Sequence, residues 1–469
     1  MGENDMAYLA ITDADRIHDY VFSPHELRLV RGGSRLQKQA NDEAGRLAEE
    51  PRFKGTTIFA DGGTVLARFP DKDHAISFCK EVSNLYRRKT AIATVSHEIV
   101  EHPPSAHFID IHSELRDKLE VRKQSRAGEQ LLPVRPFWVS CEACGEFAAS
   151  VVSLRERKRI CEACRLRDER GSREEDAAES FEDIARDARP QNYLAIVYID
   201  IDGLGEFFAK HVQSESDYGS LAKRIGEVVR DSVNHGLARV SKSEQLLVGG
   251  DDAVVALPAQ HAVEFIQDFS WKFRSSSFAP APERPTFSIG LAIAHSHYPI
   301  AEFMRIANDL QKSAKRIKGA DAIDYEVVAS SMTGHVVKQR ECADGRARTG
   351  RPLLIGDPAN SKTNEGDATQ GGLSERKSFF DMVRAVRNLK DLDAPVSQVK
   401  SLYPVAFEGT LQSELDYLNV LARVRPDVRS SLIQAVGSRL WREERDRIYT
   451  VAADLVELWE FVDASKADD

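Results

Sequence analysis

Leu246 to Pro258 reads LLVGGDDAVVALP. Two apolar runs flank Gly249 and Gly250, the composition of a tight hairpin between buried strands. A hairpin has no need of Asp251 and Asp252 side by side, because adjacent like charges repel unless a cation lies between them. Mg²⁺ is held by one or two carboxylates together with phosphate oxygens. The stretch is therefore either a solvated turn or a metal site for nucleotide chemistry, and the surrounding chain decides between them.

A second stretch points to the same place. AIVYIDIDGLGEFF, Ala195 to Phe208, is an apolar strand that ends in Asp200 and Asp202 and passes through Gly203 and Gly205 into a helix. Alone, Asp200 would be taken for a helix N-cap. Beside the hairpin, Asp200, Asp251 and Asp252 form a catalytic set for two Mg²⁺ or Mn²⁺ ions, which activate an attacking 3′-hydroxyl and stabilise the leaving pyrophosphate. Backbone NH groups at the Gly203–Gly205 helix start offer an anion site for a triphosphate, with Gly249 and Gly250 across from them. The later helix PIAEFMRIANDLQKSAKRIKG ends in Lys312, Lys315, Arg316 and Lys318. Such residues ordinarily balance the helix dipole; Lys315 is singled out as a point charge for a polyphosphate.

The chain repeats itself. YLAI opens a strand-like run at Tyr8 and again at Tyr193, and ADGGTVLARFP (Ala60 to Pro70) lies on VGGDDAVVALP (Val248 to Pro258) without a gap. Helices with apolar period follow, carrying Ala75, Phe78, Val82 and Leu85 in one copy and Ala262, Phe265, Ile266 and Phe269 in the other. A strand then closes each copy. This order is a ferredoxin-like plan, a sheet with helices on one face. Gly63 and Thr64 stand where the second copy has Asp251 and Asp252, and the YLAI match sets Asp15 opposite Asp200. One copy is armed and the other is not. Gly62 and Gly63 of the unarmed copy are expected to let a second nucleotide approach the backbone.

Between the copies lie Cys141-x2-Cys144 and Cys161-x2-Cys164, the spacing of a four-thiolate structural zinc site. One zinc is expected there, holding the fold and performing no chemistry. Cys79 and Cys342 read as incidental thiols. With 42% hydrophobic and 29% charged residues in 469, the composition is that of a soluble multidomain chain, and the net charge of −10 speaks against a global basic field for nucleic acid. With no membrane-length apolar run and no signal pattern, a cytoplasmic location without membrane contact is expected.

GGDD on a hairpin, a preceding strand ending in DxD, and a later A-x-x-L-x-x-x-A-K helix (Ala307, Leu310, Ala314, Lys315) resemble the palm domain shared by GGDEF cyclases and CRISPR polymerases. GGDD and the four cysteines, with RIHDYVFSPHELRLVRGGSRL (Arg16 to Leu36), make the chain similar to the large subunit of type III CRISPR effector complexes. That resemblance covers nearly the whole chain. It implies a cyclic oligonucleotide second messenger, a cyclic oligoadenylate made from ATP, in antiviral defence. It also implies Asp251, Asp252 and Asp200 as metal ligands and Lys315 on phosphate. Many members begin with an HD nuclease domain. Here His18-Asp19 falls inside the palm opening and reads as a chance dipeptide, so DNA cleavage by this chain is not expected.

The expected class is α+β: a degenerate first palm (1–135), the zinc module (136–170), a linker (171–190), the GGDD palm (191–330), a loop (331–376) and an all-helical C-terminal domain (377–469). The leading function is a nucleotidyl cyclase. The alternatives are a non-catalytic scaffold of a type III CRISPR ribonucleoprotein, a standalone cyclic-dinucleotide synthase and, disfavoured by GGDD and the unarmed copy, a diguanylate cyclase. ATP or another NTP is the expected ligand. Effector subunits with guide RNA, target RNA and a second copy of the chain are further candidate partners.

Overall fold

The computed structural model describes residues 6–126, 137–153, 155, 157–172, 177–328, 335–342, 345–356, 378–444 and 447–465. The first copy runs β1 (Ala7–Ala14), α1 (Ile17–Phe22), α2 (Leu27–Ala48), β2 (Thr56–Asp61), β3 (Thr64–Phe69), α3 (Lys72–Thr90), β4 (Val95–His102) and α4 (Phe108–Arg126). Its sheet has the order β2-β3-β1-β4. After β5 (Val151–Val152), β6 (Arg159–Ile160), α5 (Glu162–Arg170) and α6 (Phe181–Ala185) the plan recurs. It continues as β7 (Tyr193–Ile201), α7 (Leu204–His211), α8 (Glu215–Leu237), β8 (Glu244–Gly249), β9 (Asp252–Pro258), α9 (Ala262–Ser275), β10 (Phe287–His295) and α10 (Ile300–Ala314). The second sheet is β12-β11-β10-β7-β9-β8, enlarged by β11 (Ala322–Val328) and β12 (Leu353–Leu354). The ferredoxin-like reading holds for both copies.

One feature departs from it: helices cover both faces. Strand β7 is apolar at every position from Leu194 to Ile199, so each face needs a cover. Val197 and Ile199 join Leu221, Val228, Phe265 and Phe269 of α8 and α9 in one core. Leu194, Ile196 and Tyr198 on the other face join Phe303, Ile306 and Leu310 of α10. The first copy does the same, with α2 and α3 on one face and α4 on the other. Local signals set the helix starts. Ser214 and Asp217 close a capping box on α8, and Asp71 caps α3.

The two copies also share a core. Leu9, Ile11 and Leu66 of the first belong to the same buried cluster as Val197 and Val228 of the second. Between them in sequence, the cysteine module leans on α2. Gly32 and Gly171 carry no side chain where α2 and α5 touch, since a Cβ on either would overlap a backbone carbonyl of the other helix's segment.

The C-terminal region is helical, α11 (Phe379–Asp391), α12 (Val396–Lys400), α13 (Leu402–Val405), α14 (Thr410–Arg423), α15 (Pro426–Ala435) and α16 (Ala452–Leu458), with one short ribbon, β13 (Arg442–Glu444) against β14 (Arg447–Tyr449). The segment expected to be loop is more built than its polar composition implies. Arg340 bonds Asp324 and Glu326 at 2.7 Å, and Arg351 bonds Asp454 and Glu457 at 2.8 Å, all of them buried. These guanidiniums tie β11 to α16, and β12 extends the sheet. Residues 331–334, 343–344 and 357–376 of that segment lie outside the described residues. No helix among the described residues is long and apolar enough to cross a membrane.

Candidate functional site

Strands β7 and β9 are antiparallel neighbours, and their register sets Asp200 directly across from Asp252. Gly250 and Asp251 form the two-residue turn, Gly250 in the left-handed region at φ 61°. The three carboxylates of the sequence reading thus come together at one end of the sheet: Asp252 on the strand, Asp251 in the turn, Asp200 beside them. Lys315, just past α10, makes an ion pair with Asp200. Asp202 accepts hydrogen bonds from the hydroxyls of Ser288 (2.7 Å) and Thr286 (3.2 Å).

Crowding and burial show in the electrostatics. Burial, then the charge of Asp252, raises Asp200 to about 7 against the pull of Lys315. Burial and Asp252 raise Asp251 to about 6. Burial works to lower Lys315, but its bond to Asp200 leaves it above the ordinary lysine value. Half-buried carboxylates crowded together with one lysine among three acids are a donor set that favours added cations. Asp200, Asp251 and Asp252 are the residues that would hold Mg²⁺ or Mn²⁺.

The first copy has a matching but disarmed end. Thr64 takes the Asp252 position and pairs with Asp13, so Asp13 is the counterpart of Asp200 and Asp15 of Asp202. The expectation that set Asp15 opposite Asp200 is corrected by two residues. A slip of two keeps every side chain on its face, so the YLAI letters alone cannot fix the register, whereas the hairpin pairing does. Asp13 accepts a 2.7 Å hydrogen bond from Thr64 and forms an ion pair with Lys123 of α4. Lys123 follows Ser96, the β4 partner of Asp13, by the interval at which Lys315 follows Ser288, the β10 partner of Asp200. The carboxylate–lysine pair is thus present twice and the aspartate pair once.

The turn glycines meet each other. A Cβ at Gly62 would stand 3.5 Å from the Gly249 carbonyl oxygen and Gly250 Cα, so the two hairpins abut within the chain. A Cβ at Gly63 would run into Ile17 and Gln37, and both first-copy glycines have positive φ, 61° and 89°. Their own turn and these neighbours therefore demand glycine there. Gly203 (φ 63°) and Gly205 differ: a Cβ on either meets nothing within 4 Å, leaving open space at the α7 start.

One cleft lies at the hairpins and a second lies on the other side of β7. A cavity of about 370 Å³ is lined by Asp251, Gly205, Phe208 and Tyr218 of the second copy and by His112 and Arg116 of α4. A larger one of about 800 Å³ is lined by Arg16, His18 and Phe22 of the first copy and by Tyr198, Met304 and Asn308 of the second. They are counterparts: α4 walls one and α10 the other, α7 one and α1 the other. His18 connects the larger cleft to the carboxylates. Its ring stacks on Tyr198 (centroids 5.3 Å), its Nε2 lies 2.9 Å from the Tyr198 hydroxyl, and 3.7 Å from Asp252 Oδ2. The dipeptide read as chance thus places a first-copy histidine at the second copy's hairpin. Only the two-residue register, which makes α1 the counterpart of α7, could have signalled it.

The four cysteines are buried and their sulfurs lie within 4.8 Å of one another. Cys144 and Cys161 sulfurs are 3.9 Å apart, close to the ~3.8 Å edge of a tetrahedral zinc thiolate site. The residues fit one zinc ion.

Residues 193–324 match the family model of Cas10/Cmr2, second palm domain. That segment is Cas10-like. No curated protein matches the chain. Among solved structures, a chain of the Csm1–Csm4 cassette in complex with cA3 superposes with TM-score 0.61 at 12% identity, covering 98% of this chain and 70% of the other. The cassette with pppApApA gives 0.58 at 14% identity (98% and 69%). The apo cassette gives 0.54 at 15% (98% and 70%). In the match to the cassette with pppApA, this chain spans only 55% of the other chain's length. At these identities the likeness is one of fold.

Proposed function

We propose that this Cas10-like chain is a nucleotidyl cyclase that joins ATP into a cyclic oligoadenylate, in type III CRISPR-like antiviral defence. The observation that carries the reading is the convergence of Asp200, Asp251 and Asp252, two of them raised by burial and mutual repulsion. Like charges crowded in a half-buried site repel one another unless cations complete it. Bound Mg²⁺ or Mn²⁺ would polarise the reacting α-phosphate and the attacking hydroxyl. The chain's own residues orient the partners. The carboxylates fix the reacting end, Lys315 supplies positive charge beside it, and the open glycines at the α7 start leave backbone NH groups free for phosphate oxygens. In the reaction, a 3′ oxygen bonds to the α-phosphorus of a second nucleotide, the bond to pyrophosphate breaks, and the hydroxyl proton passes to solvent.

Two counterpart clefts, the smaller at the hairpins and the larger reaching Asp252 through His18, offer room for two nucleotides, and only one copy carries the aspartate pair. The reacting α-phosphate belongs at that end. Cassettes of the same fold are described in complex with cA3 and with pppApApA, which agrees with this reading. One tightly held zinc at Cys141, Cys144, Cys161 and Cys164, and assembly with effector subunits, belong to the same proposal.

Incubating the protein with each labelled NTP and Mg²⁺ or Mn²⁺, and resolving products by mass, tests it. Asp251→Asn combined with Asp252→Asn should lower product formation by about two orders of magnitude or more, with folding retained, because ligand loss falls on the transition state. Near wild-type turnover by that double variant would end the cyclase reading.

A further inference from the structure

The larger cleft has a wall that the smaller one lacks. Glu146 and Phe147 line it, and they belong to the knuckle that follows Cys144. That knuckle is fixed by the Cys141 amide donating to the Phe147 carbonyl at 2.8 Å and the Gly145 amide donating to Cys141 at 2.9 Å. The cysteine module therefore does more than join two copies: it reaches the edge of a cleft whose other end is His18, 3.7 Å from Asp252.

The lining selects a type of occupant. At about 800 Å³ the cleft suits a nucleoside-sized ligand. Phe22, Phe147, Tyr198 and His18 supply aromatic surface. Its charges lean acidic. Asp15, Asp19 and Glu146 face Arg16 and Arg305, and Arg305 is already engaged with Glu302 and Asp309, each at 2.8 Å. An acidic lining repels a triphosphate and tolerates a base. A carboxylate can only accept hydrogen bonds, so it rewards a base edge that carries an amino group.

We propose that the cysteine knuckle is part of a substrate pocket: the cleft takes the base of the nucleotide whose 3′-hydroxyl attacks, Phe147 lies against that base, and Glu146 with Asp19 selects an exocyclic amino group. This rests on the cyclase reading, and it changes the module from a fold-holding element into one that also chooses substrate.

The two nucleotide roles can be separated. 3′-Deoxy-ATP lacks the attacking hydroxyl and serves only as donor; AMP lacks a pyrophosphate leaving group and serves only as acceptor. Their condensation forms one bond from the AMP 3′ oxygen to the donor α-phosphorus, releases pyrophosphate, and yields a single linear dinucleotide. Phe147→Ala should raise KM for AMP about tenfold or more, while KM for 3′-deoxy-ATP and the zinc content stay unchanged. Ala301→Trp narrows the cleft from α10, away from the cysteines, and should have the same effect. Glu146→Gln, which can also donate, should weaken the preference for AMP over IMP. A matching rise in donor KM, or no rise in AMP KM in either Phe147→Ala or Ala301→Trp, overturns the proposal.

Equilibrium dialysis of labelled AMP against protein carrying Asp251→Asn and Asp252→Asn removes the dependence on turnover. AMP binding that weakens on Phe147→Ala or Ala301→Trp, with zinc retained, supports the pocket even where the parent protein makes no product, in which case the cyclase reading alone falls. AMP binding indifferent to both substitutions removes the pocket, whatever the activity.

Discussion

His112 stands in the wall of the smaller cleft, buried, with no partner for its Nε2 among the described residues. Burial pushes it down to about 4, and Arg116 on the same helix adds to the effect. Phe108 stacks on it from one turn earlier on α4, and across from it is the ring of Tyr218, 4.5 Å away, whose hydroxyl burial raises to about 12 and so leaves neutral. The unfolded chain protonates this histidine near 6.5. Stability is therefore full above about 6.5 and falls as pH drops toward about 4, since the unfolded state takes up a proton that the folded state refuses. At pH 5 the loss is about 2 kcal/mol for a shift of this size. His112→Phe should remove that part of the slope, seen as a smaller Tm difference between pH 7.5 and pH 5 than in the parent protein. Equal slopes in the two proteins would show that His112 titrates normally. This residue carried no signal in the sequence: a lone histidine on an amphipathic helix reads like any other, and its environment comes from α8, about a hundred positions away. His18 was hidden for the same reason. Asp200, Asp251 and Asp252 were legible because their clustering is local, two of them adjacent and the third at the end of a recognisable strand.

At the scale of elements, the contact between α2 and α5 decides how the cysteine module is held. Gly32 lies mid-helix, where alanine would ordinarily stabilise by about 1 kcal/mol. Here the added Cβ would overlap the backbone of Arg167, which cannot swing away as a side chain tip could. Packing wins over propensity, and Gly32→Ala should destabilise by about 2 kcal/mol or more, as overpacking does. Gly205→Ala, with nothing within 4 Å of the new methyl, should stay within about 0.5 kcal/mol of the parent in chemical denaturation. A neutral Gly32→Ala would mean that the module is not clamped to α2. The hairpins, the helices that follow them and the CxxC pairs were all legible, because each announces itself within a dozen residues. Two things were not. The register of β1 against β7 depends on pairing across the sheet, which a short letter match cannot supply. The buried Arg340 and Arg351 sit in a polar stretch whose partners, Glu326 and Asp454, lie on either side of it in sequence, so composition reads loop where charge pairing builds an anchor.

At the scale of the whole molecule, duplication makes one site out of two unequal halves. The copies share a core through Leu9, Ile11, Val197 and Val228, and Asp61 at the end of β2 faces Arg230 of α8 at 3.4 Å. A Cβ on Gly62 would reach Gly249 and Gly250 at van der Waals distance, so the armed and unarmed turns face each other inside one chain. The duplication was legible from element order; this meeting was not, since no pattern in either copy encodes how two sheets face each other. It has a kinetic consequence under the cyclase reading. If both nucleotides bind within one chain, product formed per chain per unit time is independent of protein concentration, and total rate rises linearly with it. A site shared between two chains would instead require association, and the rate would rise with the square of concentration while dimers are scarce. Initial rates across a hundredfold dilution, with sedimentation of the same samples, separate the two cases. Linearity with a monomeric species is the expected result, because the turns of the two copies face each other within the chain and His18 of the first copy lies 3.7 Å from Asp252 of the second.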